Sequence, residues 1–71
     1  MSNQPAKKFR LGYLSATVWR NDGNDRPFYT VDLQRTYKDG DELKNTNAMN
    51  HADLLNGARL LQRAEAWISE Q

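Results

Sequence analysis

The stretch that decides the fold runs from residue 14 to residue 33 and reads LSATVWRNDGNDRPFYTVDL. Apolar side chains alternate with polar ones in each of its halves, at Leu14, Ala16, Val18, Tyr29, Val31 and Leu33. This period of two is typical of strands that bury one face. Residues 21–27 separate the halves and are rich in Asn, Asp, Gly and Pro, which favour turns. The stretch therefore predicts an antiparallel β-hairpin.

A register that places Val18 opposite Tyr29 brings every aliphatic side chain of this hairpin onto one face. The same register places Trp19 opposite Phe28 on the other face, where both rings meet water. The remaining expected pairs are Ala16 with Val31, Leu14 with Leu33, Thr17 with Thr30 and Ser15 with Asp32. Because a slip of one residue would turn the aliphatic side chains outward, we expect this register and an open face that carries aromatic rings.

The sequence before the hairpin predicts one more strand with an irregularity. Phe9 and Leu11 alternate with basic residues, and the apolar positions then change from odd to even numbers at Gly12. A glycine at such a change indicates a β-bulge or sharp bend, or a division into two strands. Residues 1–7 are polar and contain a proline, so we expect a flexible N-terminal arm there and a single domain over residues 8–71.

The sequence after the hairpin predicts a turn, an edge strand and a helix. The turn is residues 38–42, which read KDGDE. The asparagine-rich residues 43–49 predict a weak strand, which we place at the edge of the sheet. Asn50 is a good N-cap, and Asp53 follows three residues later, where a carboxylate favours the start of a helix.

The predicted helix has a broad apolar face made of two stripes. They are Leu54, Ala58, Leu61 and Ile68, and beside them Leu60, Ala64 and Trp67. Since one small sheet rarely covers so wide a face, we expect a homodimer whose contact uses Leu60, Ala64 and Trp67. The alternative, which the sequence leaves open, is that Trp67 folds over the edge of the sheet.

Together these elements predict an α+β fold. We expect a curved antiparallel sheet of three to four strands, followed by one C-terminal amphipathic helix packed on its apolar face. A chain of 71 residues makes one small domain, and such a domain buries only about 60% of the surface of its unfolded chain. The expected core is therefore thin.

The composition argues against an enzyme. The chain has no cysteine and a single histidine, His51, which falls in the first turn of the predicted helix, where we expect it to be exposed. There is no glycine-rich phosphate loop and no metal-ligand spacing, so we expect no catalytic residue, cofactor or metal. No apolar stretch is long enough for a membrane span or a signal peptide. We expect a cytoplasmic, intracellular protein and leave association with the nucleoid open.

Charge and side-chain chemistry favour the open face as a binding surface. Residues 1–38 carry a net charge of +4 and the remainder −3, so the predicted sheet is the basic part of the chain. Rings among cations and hydroxyls suit single-stranded DNA or RNA, because bases stack on rings and phosphates meet Lys and Arg. The predicted contacts are Lys8, Arg10, Thr17, Trp19, Arg26, Phe28, Thr30 and Lys44.

Two alternatives explain the same exposed rings. Trp19 and Phe28 form a cross-strand pair that only stabilises the hairpin, or they contact a protein. In the second case the chain is a protein–protein interaction module, of the kind that phages or mobile elements encode, which uses its sheet face or its helix. Asp32, in the middle of the face, counts against close tracking of phosphates.

Three short motifs resemble a known family. Residues 9–12, FRLG, are similar to the Phe-x-Ile-Gly that opens its first strand, and residues 29–37, YTVDLQRTY, are similar to its Ile-Asp-Ile-Arg-Glu-Tyr strand. Residues 38–44, KDGDELK, are similar to its acidic turn before a lysine-bearing strand. On these motifs the chain resembles the transcriptional coactivators of the positive-cofactor-four type, whose layout the plant Whirly proteins share. The resemblance implies a homodimer that binds single-stranded DNA on curved sheets.

Overall fold

The structure, a computed structural model, describes residues 4–71. Its elements in chain order are β1 (Gln4–Leu11), β2 (Leu14–Asn21), β3 (Phe28–Asp39), β4 (Glu42–Thr46), a 3-10 turn (His51–Asp53) and α1 (Leu54–Ser69). Each strand pairs antiparallel with the next, so the described sheet is a four-stranded meander. The predicted α+β fold, an antiparallel sheet followed by one C-terminal helix, is confirmed.

Two glycines form the tight turns at one end of the sheet. Gly12 and Gly40 have φ of +63° and +64°, and each begins a two-residue connection between paired strands. A glycine with positive φ at this position is the pattern of a type II′ turn, whose twist matches that of the strands it joins. Of the two interpretations of Gly12, the division into two strands is therefore the one that the structure adopts.

The register of the β2–β3 hairpin differs from the predicted one by two residues. Trp19 lies opposite Thr30 rather than Phe28, and the other predicted pairs shift in the same way. Two further pairs extend the hairpin at its tip, so its loop is residues 22–27. A shift of two residues keeps each side chain on its predicted face, and for that reason the alternation in the sequence does not distinguish the two registers.

The prediction of an N-terminal arm over residues 1–7 is wrong for residues 4–7. β1 begins at Gln4, and residues 4–7 pair with β2, with a shift of register between Pro5 and Lys7. Because β1 is an edge strand of the described sheet, its outer backbone groups are not needed for pairing, and a proline and a bulge are tolerated there. Residues 1–3 lie outside the described residues.

The connection from β4 to α1 follows the predicted pattern with a shorter strand. β4 ends at Thr46, and the Thr46 hydroxyl accepts a hydrogen bond from the Ala48 N–H at 3.1 Å. The Asn50 N–H donates to Asp53 Oδ2 at 3.2 Å, and the Asp53 N–H donates to the Asn50 carbonyl at 2.9 Å. This reciprocal pair satisfies backbone groups at the start of the helical segment.

The core lies between α1 and the first three strands. Its buried apolar side chains are Leu14, Ala16 and Val18 on β2 and Leu60 and Ala64 on α1. Three contacts show the direction of the helix, because residues farther along the helix contact residues earlier in β3. They pair Asp53 with Arg35, Gly57 with Leu33, and Trp67 with Tyr29. The helix therefore runs antiparallel to β3 and covers one side of the sheet.

The core also corrects the predicted dimer contact. Leu60 and Ala64 are 0% and 1% exposed within one chain, because the sheet covers the centre of the helix. The expectation that these two side chains contact a second copy is therefore wrong. Trp67 is half-buried and meets Tyr29 edge to face, with ring centroids 5.8 Å apart, so it folds against the chain's own sheet.

Candidate nucleic-acid interface

We call the side of the sheet opposite α1 the open face. Residues directly opposite each other in a sheet share a face, so the strand registers build three cross-strand rows here. The rows are Pro5–Trp19–Thr30, Lys8–Thr17–Asp32 and Arg10–Ser15–Gln34. Phe28 and Asn21 form the next pair toward the hairpin loop. Six of the predicted contacts, Lys8, Arg10, Thr17, Trp19, Phe28 and Thr30, thus come together on one surface.

Trp19 and Phe28 share the open face but are not directly opposite each other. Trp19 is half-buried, whereas Phe28 is 54% exposed at the start of β3. They are diagonal neighbours, a relation in which Cβ atoms are typically roughly 7 Å apart. The ring-to-ring contact found within residues 4–71 is the one between Tyr29 and Trp67, on the helix side. Trp19 and Phe28 therefore offer two separate aromatic surfaces.

Unpaired cations lie on the open face and in its hairpin loop. Lys8 and Arg10 are exposed on β1, the strand next to Trp19, and Arg26 is exposed in the hairpin loop. The ion pairs within the described part of the chain involve Arg20, Arg35 and Lys44 and leave these three cations without a carboxylate. They are consequently available to an anionic ligand.

Hydroxyl and amide groups occupy the centre of the open face. The Asn21 side-chain amide donates to Thr30 Oγ1 at 3.2 Å, and the Gln34 amide donates to Asp32 Oδ2 at 3.1 Å. Asp32 is half-buried on β3, two strands away from Lys8 in the same row. The open face is thus divided, with cations on β1 and a carboxylate on β3.

Lys44 does not belong to the open face, which corrects its predicted role. The two-residue turn at Gly40 sets the register of β4, so that Lys44 lies opposite Tyr37, on the helix side. Its ammonium Nζ is 3.0 Å from Asp39 Oδ2, on the same side of the hairpin. The prediction lacked the turn length, and one residue more or less in the turn would reverse the face.

Three exposed residues at the other end of the open face were missing from the prediction. Tyr13 lies in the β1–β2 turn, and Lys38 of β3 lies opposite Leu43 of β4. Continuing the alternation of β3 from Thr30 to Lys38 would have placed the lysine on this face. Leu43 could not be placed in this way, since its side depends on the register of the β3–β4 turn.

Residues 4–71 contain few other groups of the kind that form metal or catalytic sites. No group of three His, Cys, Asp or Glu side chains in this range is arranged to hold a metal ion. His51 is exposed in the 3-10 turn before α1, beside Leu54 and Leu55. The helix found in this range is too short and too polar to cross a membrane.

We compared the chain with protein-family models, with curated proteins and with solved structures, and none of them matches it.

Proposed function

We propose that the protein binds single-stranded nucleic acid on the open face and is not an enzyme. The observation that carries this proposal is the row of Trp19 between Pro5 and Thr30, uncovered by the helix, with the unpaired cations Lys8 and Arg10 on the neighbouring strand. Every base has a π-face that stacks on an indole or phenyl ring, so this surface suits a single strand of any sequence. Both DNA and RNA have the required chemistry.

The distribution of charge suggests how the strand lies. Phosphates are attracted to Lys8 and Arg10 on β1 and repelled by Asp32 on β3. The sugar-phosphate backbone is therefore expected along β1, with the bases directed over β2 toward Trp19 and Phe28. In this pose the hydroxyls of Ser15 and Thr17 lie between backbone and bases, where they meet sugars or base edges.

A salt-dependent titration tests the proposal. A fluorescently labelled oligothymidylate and its RNA counterpart are titrated with the protein at low and high salt, and anisotropy reports binding. Three phosphate contacts, from Lys8, Arg10 and Arg26, predict a slope of about −2 in log K against log salt, at about −0.7 per contact. Trp19→Ala is expected to weaken binding by ~1–3 kcal/mol because one base loses its stacking surface.

The matched control is Trp67→Phe, which alters the other tryptophan, on the helix side, while keeping an aromatic ring against Tyr29. This variant is expected to bind oligonucleotide like the parent protein. Circular dichroism and thermal unfolding confirm that each variant is folded. If the folded parent protein binds neither DNA nor RNA at low salt, the proposal is rejected.

A second proposal concerns the helix. The apolar stripe of α1 that lies beside the buried one contains Leu54, Ala58 and Leu61, and its two leucines are 54% and 44% exposed. Exposed leucines spaced at helical intervals are typical of a helix that meets another protein. The occupant that we propose is a second copy of the chain, because two such stripes are self-complementary across a two-fold axis.

Sedimentation equilibrium tests the homodimer. The parent protein is expected to sediment as a dimer at micromolar concentration, and the double variant Leu54→Gln/Leu61→Gln as a folded monomer. Leu43→Gln, which changes an exposed leucine on β4, serves as the control and is expected to remain dimeric. A monomeric parent protein, or a double variant that stays dimeric, would contradict this use of the helix.

A further inference from the structure

A cleft lies at the turn end of the open face, at the opposite end from Trp19 and Phe28. The residues that line it are Tyr13, Arg35, Thr36, Tyr37, Lys38 and Leu43. The strand registers place Thr36, Lys38 and Leu43 on the open face, whereas the side chains of Arg35 and Tyr37 lie on the helix side of β3. The Thr36 N–H donates to the Tyr13 carbonyl at 2.8 Å, which fastens the β1–β2 turn to β3. Tyr13 and Leu43 are 79% and 74% exposed, so both large side chains are accessible to a ligand.

We propose that this cleft is a second base-binding site for the same single strand, an inference that rests on the proposed function. A base enters between the Tyr13 ring and the Leu43 side chain, and Lys38 contacts the adjoining phosphate. Tyrosine supplies a stacking surface and leucine an apolar contact for the base, while neither selects a particular base.

Continuity with the open face supports this choice of occupant. Thr30, in the row of Trp19, and Thr36, bonded to Tyr13, are six residues apart on β3, which is about 20 Å at the usual rise per residue. The rows of Lys8 and Arg10 lie between them. This span corresponds to about six nucleotides of a stacked strand, or fewer if the strand is stretched. One strand seated on Trp19 therefore reaches the cleft after passing the cations of β1.

The charges around the cleft support the same choice. Lys38 forms no ion pair with any described residue and lies opposite Leu43. Arg35, by contrast, is engaged, since its Nε is 3.6 Å from Asp53 Oδ2 and donates to the Ala48 carbonyl at 3.1 Å.

Two further contacts show which charged side chains near the cleft are engaged within the protein. The Arg35 guanidinium carbon lies 5.7 Å from the centroid of the Tyr37 ring, on the helix side of β3, so this cation is engaged away from the open face. The carboxylate of Asp39, next to Lys38 in sequence, is paired with Lys44 on the helix side. Lys38 is therefore the cation that remains for a phosphate.

The test compares single substitutions in the same anisotropy titration, with an oligothymidylate of about 12 nucleotides, within the usual range for one such site. Tyr13→Ala and Leu43→Ala are each expected to weaken binding by about fivefold or more. Lys38→Ala is expected to make the salt slope less negative by about 0.7. The control is Leu55→Ala, which shortens a side chain on α1 that is 79% exposed, the same fraction as Tyr13, and should leave binding unchanged.

The outcomes separate this inference from the proposed function. If Trp19→Ala weakens binding while folded Tyr13→Ala and Leu43→Ala bind like the parent protein, the cleft is not a base-binding site and the open face still is. If the folded parent protein binds no oligonucleotide, the proposed function fails and the second site fails with it. Weakening by Tyr13→Ala and Leu43→Ala, with Leu55→Ala unchanged, supports the cleft.

Discussion

Trp19 on β2 lies directly opposite Thr30 on β3, and this pairing determines how the aromatic residues are arranged on the open face. Phe28 is two positions before Thr30 on the same strand, so it is diagonal to the tryptophan. The two rings are separate surfaces rather than one stacked pair. Under the proposed function, a single strand places different bases on the two rings.

The separation of the rings predicts additive effects on binding. Trp19→Ala and Phe28→Ala are each expected to weaken oligonucleotide binding by ~1–3 kcal/mol, because each removes one stacking surface. The double variant should lose the sum of the two free energies within ~0.5 kcal/mol. Anisotropy titrations of the four proteins measure this cycle. A large coupling energy would show instead that the rings act as one unit.

Lys8 and Lys44 lie on opposite faces of the sheet, so their alanine variants are expected to differ in how oligonucleotide binding depends on salt. Lys8 is unpaired on the open face, so Lys8→Ala should remove one phosphate contact and make the slope of log K against log salt less negative by about 0.7. Lys44 lies on the helix side and is paired with Asp39, so Lys44→Ala should leave the slope unchanged. Titrations at several salt concentrations measure both slopes. Equal changes in the two variants would contradict the assignment of faces.

Two neighbouring leucines on α1 are expected to differ in how much each stabilises the protein. Leu60 is fully buried, and Leu60→Ala is expected to cost ~2–5 kcal/mol through lost burial and a cavity. That is a large part of the roughly 4–10 kcal/mol that a domain of 71 residues typically has. Leu61 is 44% exposed, and Leu61→Ala should cost less than ~1 kcal/mol. Urea unfolding measures both values, and similar losses would contradict the orientation of the helix.

Two glycines predict opposite responses to alanine. A Cβ on Gly57 would lie 3.4 Å from Leu33 Cδ2, an ordinary contact, so Gly57→Ala is expected to stabilise the protein by ~0.5–1 kcal/mol through helix propensity. Gly12 has open space around it but a φ of +63°, and Gly12→Ala should cost ~1–2 kcal/mol. Thermal unfolding compares them. A destabilised Gly57→Ala variant would mean that the helix cannot approach the sheet as closely with a methyl group present.

The open face shows how far the sequence alone places the residues of the proposed binding site. The alternation along residues 14–33 puts Trp19, Phe28, Thr17 and Thr30 on the side away from the aliphatic residues, and the structure agrees. Lys8 and Arg10 follow from the same period in β1. The faces of Lys44 and Leu43 could not be predicted in this way. The length of the β3–β4 turn sets their face, and the asparagine-rich strand has no apolar pattern that would indicate which face is buried.

By itself, the sequence determined the order of elements, the face of each side chain in the hairpin, and the positions of the two turn glycines that flank it. These depend on local periodicity and on backbone conformations that few residues adopt. Only the tertiary structure decided the register of the hairpin, the side of the sheet on which β4 presents Lys44, and which helix stripe is buried. A shift of two residues preserves every local preference, and both helix stripes are apolar. The choice in each case depends on packing between segments that are distant in the chain.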